Sequence, residues 1–145
     1  MPINPTSELR NGITTDVTSG ASRLLFDMGY MPFLEFRLKI GRRADICGIN
    51  EKGEIIIIEV KSSIEDFRVD IKWHEYIDYC DKFYFAVNNN FPKEILPENT
   101  GLIIADKYGG IVLRESNLNK LSAARRKSLT LLFARQAAQA FFLKP

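Results

Sequence analysis

The sequence has few of the residues on which several classes of protein depend. It contains one histidine, His74, and two cysteines, Cys47 and Cys80, which form no C-x-x-C pair. A single histidine excludes a His-rich zinc cluster and argues against a histidine-based catalytic triad. Both cysteines stand among apolar or helical residues, so we expect reduced packing residues, with a catalytic or zinc-binding thiol as the alternative.

Long hydrophobic runs are also missing. No stretch approaches the roughly 18 uncharged apolar residues of a membrane-spanning helix, and residues 1–11 do not combine a basic segment with an apolar one. We therefore expect a cytoplasmic protein without membrane contact. With 145 residues, 46% of them hydrophobic and 26% charged, the sequence is typical of a single globular domain, spanning residues 1–145.

Acidic residues are absent from residues 116–145, which contain six basic side chains and carry +6, whereas the whole chain carries +2. Such a segment suits contact with phosphate groups, and Arg125, Arg126 and Lys127 form its densest cluster. At about 100° per residue these side chains would spread around a helix, so a solvated helix face is the alternative interpretation.

The hydrophobic pattern of the first half of the chain predicts a helix followed by strands. Residues 1–13 look like a loose arm, and apolar residues at helical spacing then predict a first helix at about 15–28. Extended runs at 31–40, 43–50 and 54–61 predict a meander of antiparallel strands. The third run holds four consecutive isoleucines, so both of its faces should be covered at the centre of the sheet.

The second half of the chain predicts further strands and two more helices. Residues 63–66 resemble a capping box that opens a polar helical stretch to about residue 81, with a break near Trp73. Strands are predicted at 83–87, 102–105 and 111–113, and the basic segment 116–145 should form a long helix at about 122–142. The predicted class is α/β, with a mixed sheet of an antiparallel meander plus further strands, flanked by helices.

The residues best suited to chemistry lie on the second and third predicted strands: Asp45, then thirteen residues, then Glu59-Val60-Lys61. Burying Glu59 and Lys61 at the end of an isoleucine-rich strand is costly without a partner, a cation or water. Asp45 and Glu59 offer the hard oxygen ligands that suit Mg²⁺ or Mn²⁺, and Lys61 could orient water or stabilise charge on a phosphate. A solvated acid and a surface ion pair are the alternatives.

The turn between these two strands decides whether the carboxylates meet. Asp45 and Glu59 face each other if paired residue numbers sum to 104, which a three-residue connection at 51–53 or a five-residue connection would give. An even connection would turn the carboxylates to opposite faces unless a bulge intervened. We predict the register of 104.

The order of elements and the motif resemble a known superfamily. A helix, three strands, a helix and a strand, with Asp45 on the second strand and Glu59-x-Lys61 on the third, resemble the PD-(D/E)XK phosphodiesterases over residues 15–88. The surrounding segments resemble the MmcB family of bacterial DNA-repair proteins at 41–46, 59–63, 66–73, 80–86 and 101–106, and in the basic final helix.

The resemblance implies a restriction-endonuclease-like core and a role in DNA repair or damage tolerance. It also implies that Asp45, Glu59 and Lys61 are site residues. One departure from the superfamily motif is Ala44, which stands where the motif has proline. A third acid is less defined: related enzymes often take it from the first helix, where Asp16 is available, but we favour Glu35, a charge among apolar residues.

The candidate DNA-binding residues are basic side chains near the motif and on the final helix: Arg43, Arg68, Lys72, Arg125, Arg126 and Lys127. Arg68 and Lys72 could instead pair with neighbouring acids. Asp66, Asp70 and His74 recur at helical spacing in the same segment, and we interpret them as a solvated helix face.

Two hypotheses of function follow. The first is a nuclease that acts on DNA in repair, with Mg or Mn as its cofactor and with DNA and other repair proteins as partners. The second is a non-catalytic module that binds DNA or a partner and retains the nuclease fold. The presence of Asp45, Glu59 and Lys61 together favours chemistry, while the net charge of only +2 indicates that DNA affinity depends on a partner.

Overall fold

A six-stranded mixed sheet lies at the centre of the protein. The computed structural model describes residues 7–70 and 72–145. The strands are β1 (Met31–Arg37), β2 (Arg43–Ile49), β3 (Ile55–Val60), β4 (Lys82–Val87), β5 (Gly101–Asp106) and β6 (Gly109–Arg114). The helices are α1 (Ser7–Asp27), α2 (Ile64–Arg68) and α3 (Ala123–Phe142), and two short 3₁₀ helices span Trp73–Tyr79 and Lys93–Ile95.

The strands lie side by side in the order in which they occur in the chain. β1, β2 and β3 are antiparallel, β3, β4 and β5 are parallel, and β6 is antiparallel to β5. The predicted α/β class, with an antiparallel meander extended by further strands and flanked by helices, is confirmed. This architecture is consistent with a restriction-endonuclease-like core.

β3 separates two hydrophobic cores, because its alternate side chains point to opposite faces of the sheet. One core lies under α1, and the other lies under α3 and the first 3₁₀ helix. The first contains Val17, Ala21, Leu25, Ile46, Ile56 and Ile58, and the second contains Phe36, Ile55, Ile57, Trp73, Phe85 and Leu129. All residues of β3 are buried, so its predicted central position is confirmed.

The β2–β3 hairpin has the predicted register. Ile46 pairs with Ile58 and Ile49 pairs with Ile55, so paired residue numbers sum to 104. The connection consists of residues 51–53 and ends at Gly53, whose φ of 78° lies in the left-handed region that favours glycine. The side chain of Asn50 fixes the turn by accepting the N–H of Glu54 at 2.9 Å. This turn directs Asp45 and Glu59 to opposite positions on neighbouring strands.

The first helix begins earlier than the hydrophobic pattern predicted. α1 starts at Ser7, so residues 7–13 of the predicted loose arm are helical, and residues 1–6 of that arm lie outside the described residues. Asn11, Gly12 and Thr14 are exposed, and the first fully buried side chain of the described helix is Val17. The early turns therefore show no apolar stripe by which the sequence could reveal them.

The segment after β3 is less helical than predicted, whereas the final helix has the bounds that the sequence predicted. The predicted helix from 63 to about 81 divides into α2 and a 3₁₀ helix, with the break at residues 69–72. Residues 116–122 form an irregular link, and α3 begins at Ala123 as predicted, with the Ser122 hydroxyl as its cap, which accepts the N–H of Arg125 at 3.1 Å.

Two expectations from the scarce features of the sequence can be compared with the structure. Cys47 and Cys80 are buried and free, which confirms them as packing residues. Within residues 7–70 and 72–145, no helix combines the length and the apolar character needed to cross a membrane.

Candidate active site

The site forms where β2 and β3 stop pairing through their backbones. The last backbone pair is Ile46 with Ile58, and beyond it side chains replace the ladder. The N–H of Asp45 donates to Oε1 of Glu59 at 3.0 Å, and the N–H of Val60 donates to Oδ2 of Asp45 at 2.8 Å. The two carboxylates therefore lie next to each other at the end of the central strand.

Burial perturbs both acids of this pair. Glu59 is 6% exposed, and burial together with the negative charge of Asp45 raises the pKa of Glu59 to about 9. Burial also raises the pKa of Asp45, although the N–H of Val60 and the charge of Lys61 oppose the shift. Holding both groups ionised at neutral pH is costly unless a cation lies beside them.

One oxygen of each carboxylate has no hydrogen-bond donor among the described residues: Oδ1 of Asp45 and Oε2 of Glu59. Carboxylate oxygens suit Mg²⁺ and Mn²⁺, and Mg²⁺ usually binds one or two carboxylates and completes its shell with water and substrate phosphate. In the described part of the chain, no group of three or more His, Cys, Asp or Glu side chains is arranged to hold a metal ion. The residues present thus fit an open, partly hydrated cation site and not a closed protein cage.

Lys61 extends from the same end of β3 and forms a nearly buried ion pair. Its Nζ lies 2.6 Å from Oδ2 of Asp70, and the two side chains are 7% and 12% exposed. The interpretation of Asp70 as part of a solvated helix face is therefore wrong. A buried lysine requires an anionic partner, and that requirement was the only sequence signal that could have identified Asp70.

The start of α2 closes one side of the site. The hydroxyl of Ser63 accepts the N–H of Asp66 at 3.1 Å, as the predicted capping box requires, and Oδ2 of Asp66 accepts the N–H of Ser62 at 3.2 Å. A cleft of about 510 Å³ lies between this turn, the carboxylate pair and the first turns of α1, where Asn11 and Thr14 contribute to its wall. No pattern in the sequence indicated that these two α1 residues line the cleft.

Glu35 stands opposite Asp45 in the register of β1 and β2, but it does not line the cleft. The β1–β2 register puts it opposite Asp45, yet Glu35 has a φ of 56° and the pair is not formed. Its exposed carboxylate lies 3.9 Å from Nη2 of Arg43. The catalytic role of Glu35 stays a prediction, and Asp16, the alternative third acid, is exposed on α1.

The basic side chains that follow β3 are accessible to a ligand. Arg68 and Lys72 are exposed, and neither side chain has an ion-pair partner within 4.0 Å among the described residues. The neighbouring acids are engaged elsewhere, because Asp70 pairs with Lys61 and Glu75 pairs with Arg42.

The three predicted residues of α3 differ from one another. Arg126 donates two hydrogen bonds to the carboxylate of Asp81, at 2.7 and 2.8 Å, and a third to the carbonyl oxygen of Gly53. Arg125 lies 4.3 Å from the ring centre of Tyr79 and donates to the carbonyl oxygen of Asp78. Lys127 is exposed. Arg126 therefore anchors α3 to the sheet, and its DNA contact stays a prediction.

Comparison with known proteins identifies the family. Residues 4–144 match the family model described as DNA repair protein MmcB-like. The chain belongs to the MmcB-like family of DNA repair proteins. The match includes the whole carboxylate site and α3, so the resemblance to the MmcB family is confirmed, and membership indicates a role in DNA repair.

The MmcB-like chain is also similar to a protein of known structure. It is 40% identical to the SPO1766 protein of unknown function from Silicibacter pomeroyi, with a TM-score of 0.86 over 89% of this chain and 88% of that chain. No curated protein matches the chain. The structural likeness supports the fold and adds no information on activity.

Proposed function

We propose that this protein is a Mg²⁺- or Mn²⁺-dependent nuclease of the PD-(D/E)XK type that hydrolyses phosphodiester bonds of DNA in repair. The observation that carries the proposal is the carboxylate pair at the opening between β2 and β3. Asp45 and Glu59 lie together, are held by backbone N–H groups, and each leave one oxygen available. Strongly perturbed acids that line a cleft are typical of functional sites.

In this proposal Asp45 and Glu59 would hold the cation through the oxygens that accept no hydrogen bond from the described residues. When bound, Mg²⁺ or Mn²⁺ supplies Lewis acidity and makes a bound water more acidic. The backbone contacts from Val60 and Asp45 orient the two carboxylates, so the ligand oxygens need little rearrangement. The open cleft leaves room for the water and phosphate oxygens that complete the shell.

Lys61 provides the positive charge beside the reacting phosphate. During hydrolysis an oxygen of water forms a bond to phosphorus, one ester P–O bond breaks, and the leaving oxygen takes up a proton. Negative charge on the phosphate oxygens grows in the transition state, and an ammonium fixed in advance stabilises it. Asp70 fixes Lys61 by the 2.6 Å ion pair, so Asp70 acts as a positioning residue.

DNA affinity in this proposal comes from basic side chains near the cleft and from the start of α3, which contacts the opposite end of β3. Arg43, Arg68, Lys72 and Lys127 contact phosphates, and Arg125 adds to them at the start of α3. Contacts of this kind confer salt-dependent affinity without sequence preference. Other repair proteins are the proposed partners that supply selectivity for the damaged site.

A non-catalytic DNA-binding module is the second candidate, and one observation favours it. The ammonium of Lys61 already has an anionic partner in Asp70, and both side chains are nearly buried. An ion pair of this kind can stabilise the fold without taking part in a reaction.

A cleavage assay separates the two candidates. The protein is incubated with single-stranded, duplex, nicked and branched DNA in Mg²⁺ or Mn²⁺, alongside Asp45→Asn and Glu59→Gln variants that keep shape but remove ligand charge. We expect cleavage by the unmodified protein, and background activity for both variants and in EDTA, because the cation loses its ligands or is removed.

The control is Glu98→Gln, which changes an exposed acid of the loop before β5 that does not line the cleft and should leave cleavage unchanged. If no DNA structure is cleaved with either metal, and calorimetry detects no metal binding that Asp45→Asn removes, the nuclease proposal fails. The binding module would then be preferred.

A further inference from the structure

A second cavity lies between α3 and the outer edge of β1. Gln136 forms its base: the side chain is 8% exposed, Oε1 accepts the N–H of Arg37 at 2.9 Å, and Nε2 donates to the carbonyl oxygen of Arg37 at 2.7 Å. The amide thus pairs with β1 as a neighbouring strand would. Phe133 packs against Phe33 and Phe36 nearby, so the helix is fixed against the strand edge.

This groove has a volume of about 620 Å³, and its charged lining residues are all basic: Arg37, Lys39 and Arg135. Gln136 and Gln139 add amide groups to the lining, and Arg135 and Gln139 lie one helical turn apart. In the described part of the chain no acidic residue lines the groove, and α3 itself contains none. The groove is therefore a concave surface of positive charge with hydrogen-bond donors.

The charge of the groove is not neutralised by the protein. Among the described residues, Arg37, Lys39 and Arg135 have no ion-pair partner within 4.0 Å, whereas Arg126, Arg42 and Lys61 each have one. Lys39 contacts only the hydroxyl of Ser128, at 3.5 Å. Cations left together without an acid repel one another, so an anionic ligand would relieve the repulsion.

The groove is also connected to the carboxylate cleft along the sheet. Arg37 pairs with Arg43 in the β1–β2 register, and Arg43 precedes Asp45 by two residues, about 7 Å along a strand. A row of basic residues thus runs from α3 to the site. A polyanion with charges repeated along its length fits such a row better than a small anion does.

We propose that this groove binds the phosphodiester backbone of DNA at a distance from the cleft, as a second contact on the same molecule. The proposal rests on the DNA role proposed above. Guanidinium groups bind phosphate oxygens through paired hydrogen bonds, and the exposed Gln139 amide donates a further one. The groove binds phosphate charge whatever the base sequence. It therefore holds the DNA, while the position of the cleft determines which phosphodiester bond is cleaved.

Salt-dependent binding measures this contact. A fluorescent DNA duplex is titrated with the full chain in EDTA, which prevents cleavage, at several salt concentrations. For Lys39→Ala with Arg135→Ala, we expect the slope of log affinity against log salt to flatten by roughly two, since each lost phosphate contact removes about 0.9. Affinity should fall equally for unrelated sequences, and Lys39→Arg with Arg135→Lys should restore most of the slope.

The matched control is Lys52→Ala with Lys107→Ala, which removes the same charge from exposed turns that do not line the groove. Its slope should flatten by much less than that of the groove variant. A groove variant with the slope of the control overturns the proposal, as does an unmodified protein that does not bind DNA.

The same variants separate the groove from the nuclease proposal. If DNA is cleaved but the groove variant keeps its slope, the groove proposal fails and the nuclease stands. If the slope flattens while no DNA structure is cleaved, the groove stands and the nuclease fails.

Discussion

The two ends of β3 hold buried acids in opposite electrostatic states. At its beginning, the carboxylate of Asp81, 3% exposed, accepts hydrogen bonds from the N–H groups of Ile55 at 2.8 Å and Leu121 at 3.1 Å, and from Nη1 and Nη2 of Arg126. Burial alone would raise the pKa of Asp81, but the hydrogen bonds of Arg126 and the two N–H groups outweigh it and lower the pKa. At the end of the strand, the pKa values of Asp45 and Glu59 are raised.

Asp81 and Glu59 are both nearly inaccessible to solvent, at 3% and 6% exposed, and the two acids differ in the hydrogen-bond and charge partners that the fold supplies. Asp81 has all of its oxygens satisfied by the protein and connects β3, β4 and the link before α3. Asp45 and Glu59 share one nearby cation, Lys61, which Asp70 also binds. The beginning of the strand is therefore a structural joint, and its end has too few cationic partners to keep both carboxylates ionised, a deficit that a bound cation would fill.

The largest effect on stability should come from removing Arg126, the cationic partner of Asp81 at the beginning of β3. Arg126→Ala would leave Asp81 buried without its cation, and removing one partner of such a pair typically costs about 3–5 kcal/mol. For a chain of this size that corresponds to a melting temperature roughly 10 °C lower. Thermal unfolding followed by circular dichroism measures the change.

Arg125→Ala is the matched control for that experiment, because Arg125 is the preceding residue on the same helix and only its contacts with Tyr79 and Asp78 would be lost. It should cost no more than about 1 kcal/mol. Equal losses for the two variants would contradict the description of Asp81 as a joint that depends on Arg126.

The next effect concerns the rate of cleavage at the carboxylate pair at the end of β3. Lys61→Ala removes charge but no proposed metal ligand, so cation binding measured by calorimetry should persist while single-turnover cleavage slows by roughly two orders of magnitude. Asp70→Asn keeps the shape of the partner and leaves the ammonium in the cleft, so its loss of turnover should be smaller. A larger loss for Asp70→Asn would assign the acid, and not the lysine, to the chemistry.

The comparison also explains how much the sequence could predict. The register of Asp45 and Glu59 was predictable because hairpin geometry is local: an odd connection that ends in Gly53 permits one alignment of two short strands. The central position of β3 was predictable from its consecutive isoleucines, which can be covered only from both sides. Both inferences need only the residues of the hairpin itself.

The partners of the charged residues could not be predicted in the same way. Asp70 reaches Lys61 because the chain turns after α2, and helical spacing gave the opposite interpretation. Arg126 meets Asp81 across 45 residues, so a basic cluster on the final helix looked like a phosphate contact. From the sequence alone, a charged side chain that is anchored by tertiary contacts cannot be distinguished from one that is free to bind a ligand.

The effect that is smallest per measured step, one pH unit, is a dependence of stability on pH that arises at the carboxylate pair. In the unfolded chain Glu59 ionises near its ordinary pKa of 4.5, whereas in the folded protein its pKa is about 9. Between these values the unfolded state has lost the proton that the folded state keeps, so metal-free stability should fall as pH rises, by at most about 1.4 kcal/mol per pH unit.

Glu59→Gln removes this titration and should flatten the profile measured by urea unfolding from pH 5 to about 9. Asp81→Asn should not flatten it, because a lowered pKa makes Asp81 contribute stability that is lost only as pH falls through the acid range. Added Mg²⁺ should raise the stability of the unmodified protein most at high pH, since binding favours the ionised carboxylates. A profile that keeps its slope in Glu59→Gln would show that the two ends of β3 do not differ in the way their partners indicate.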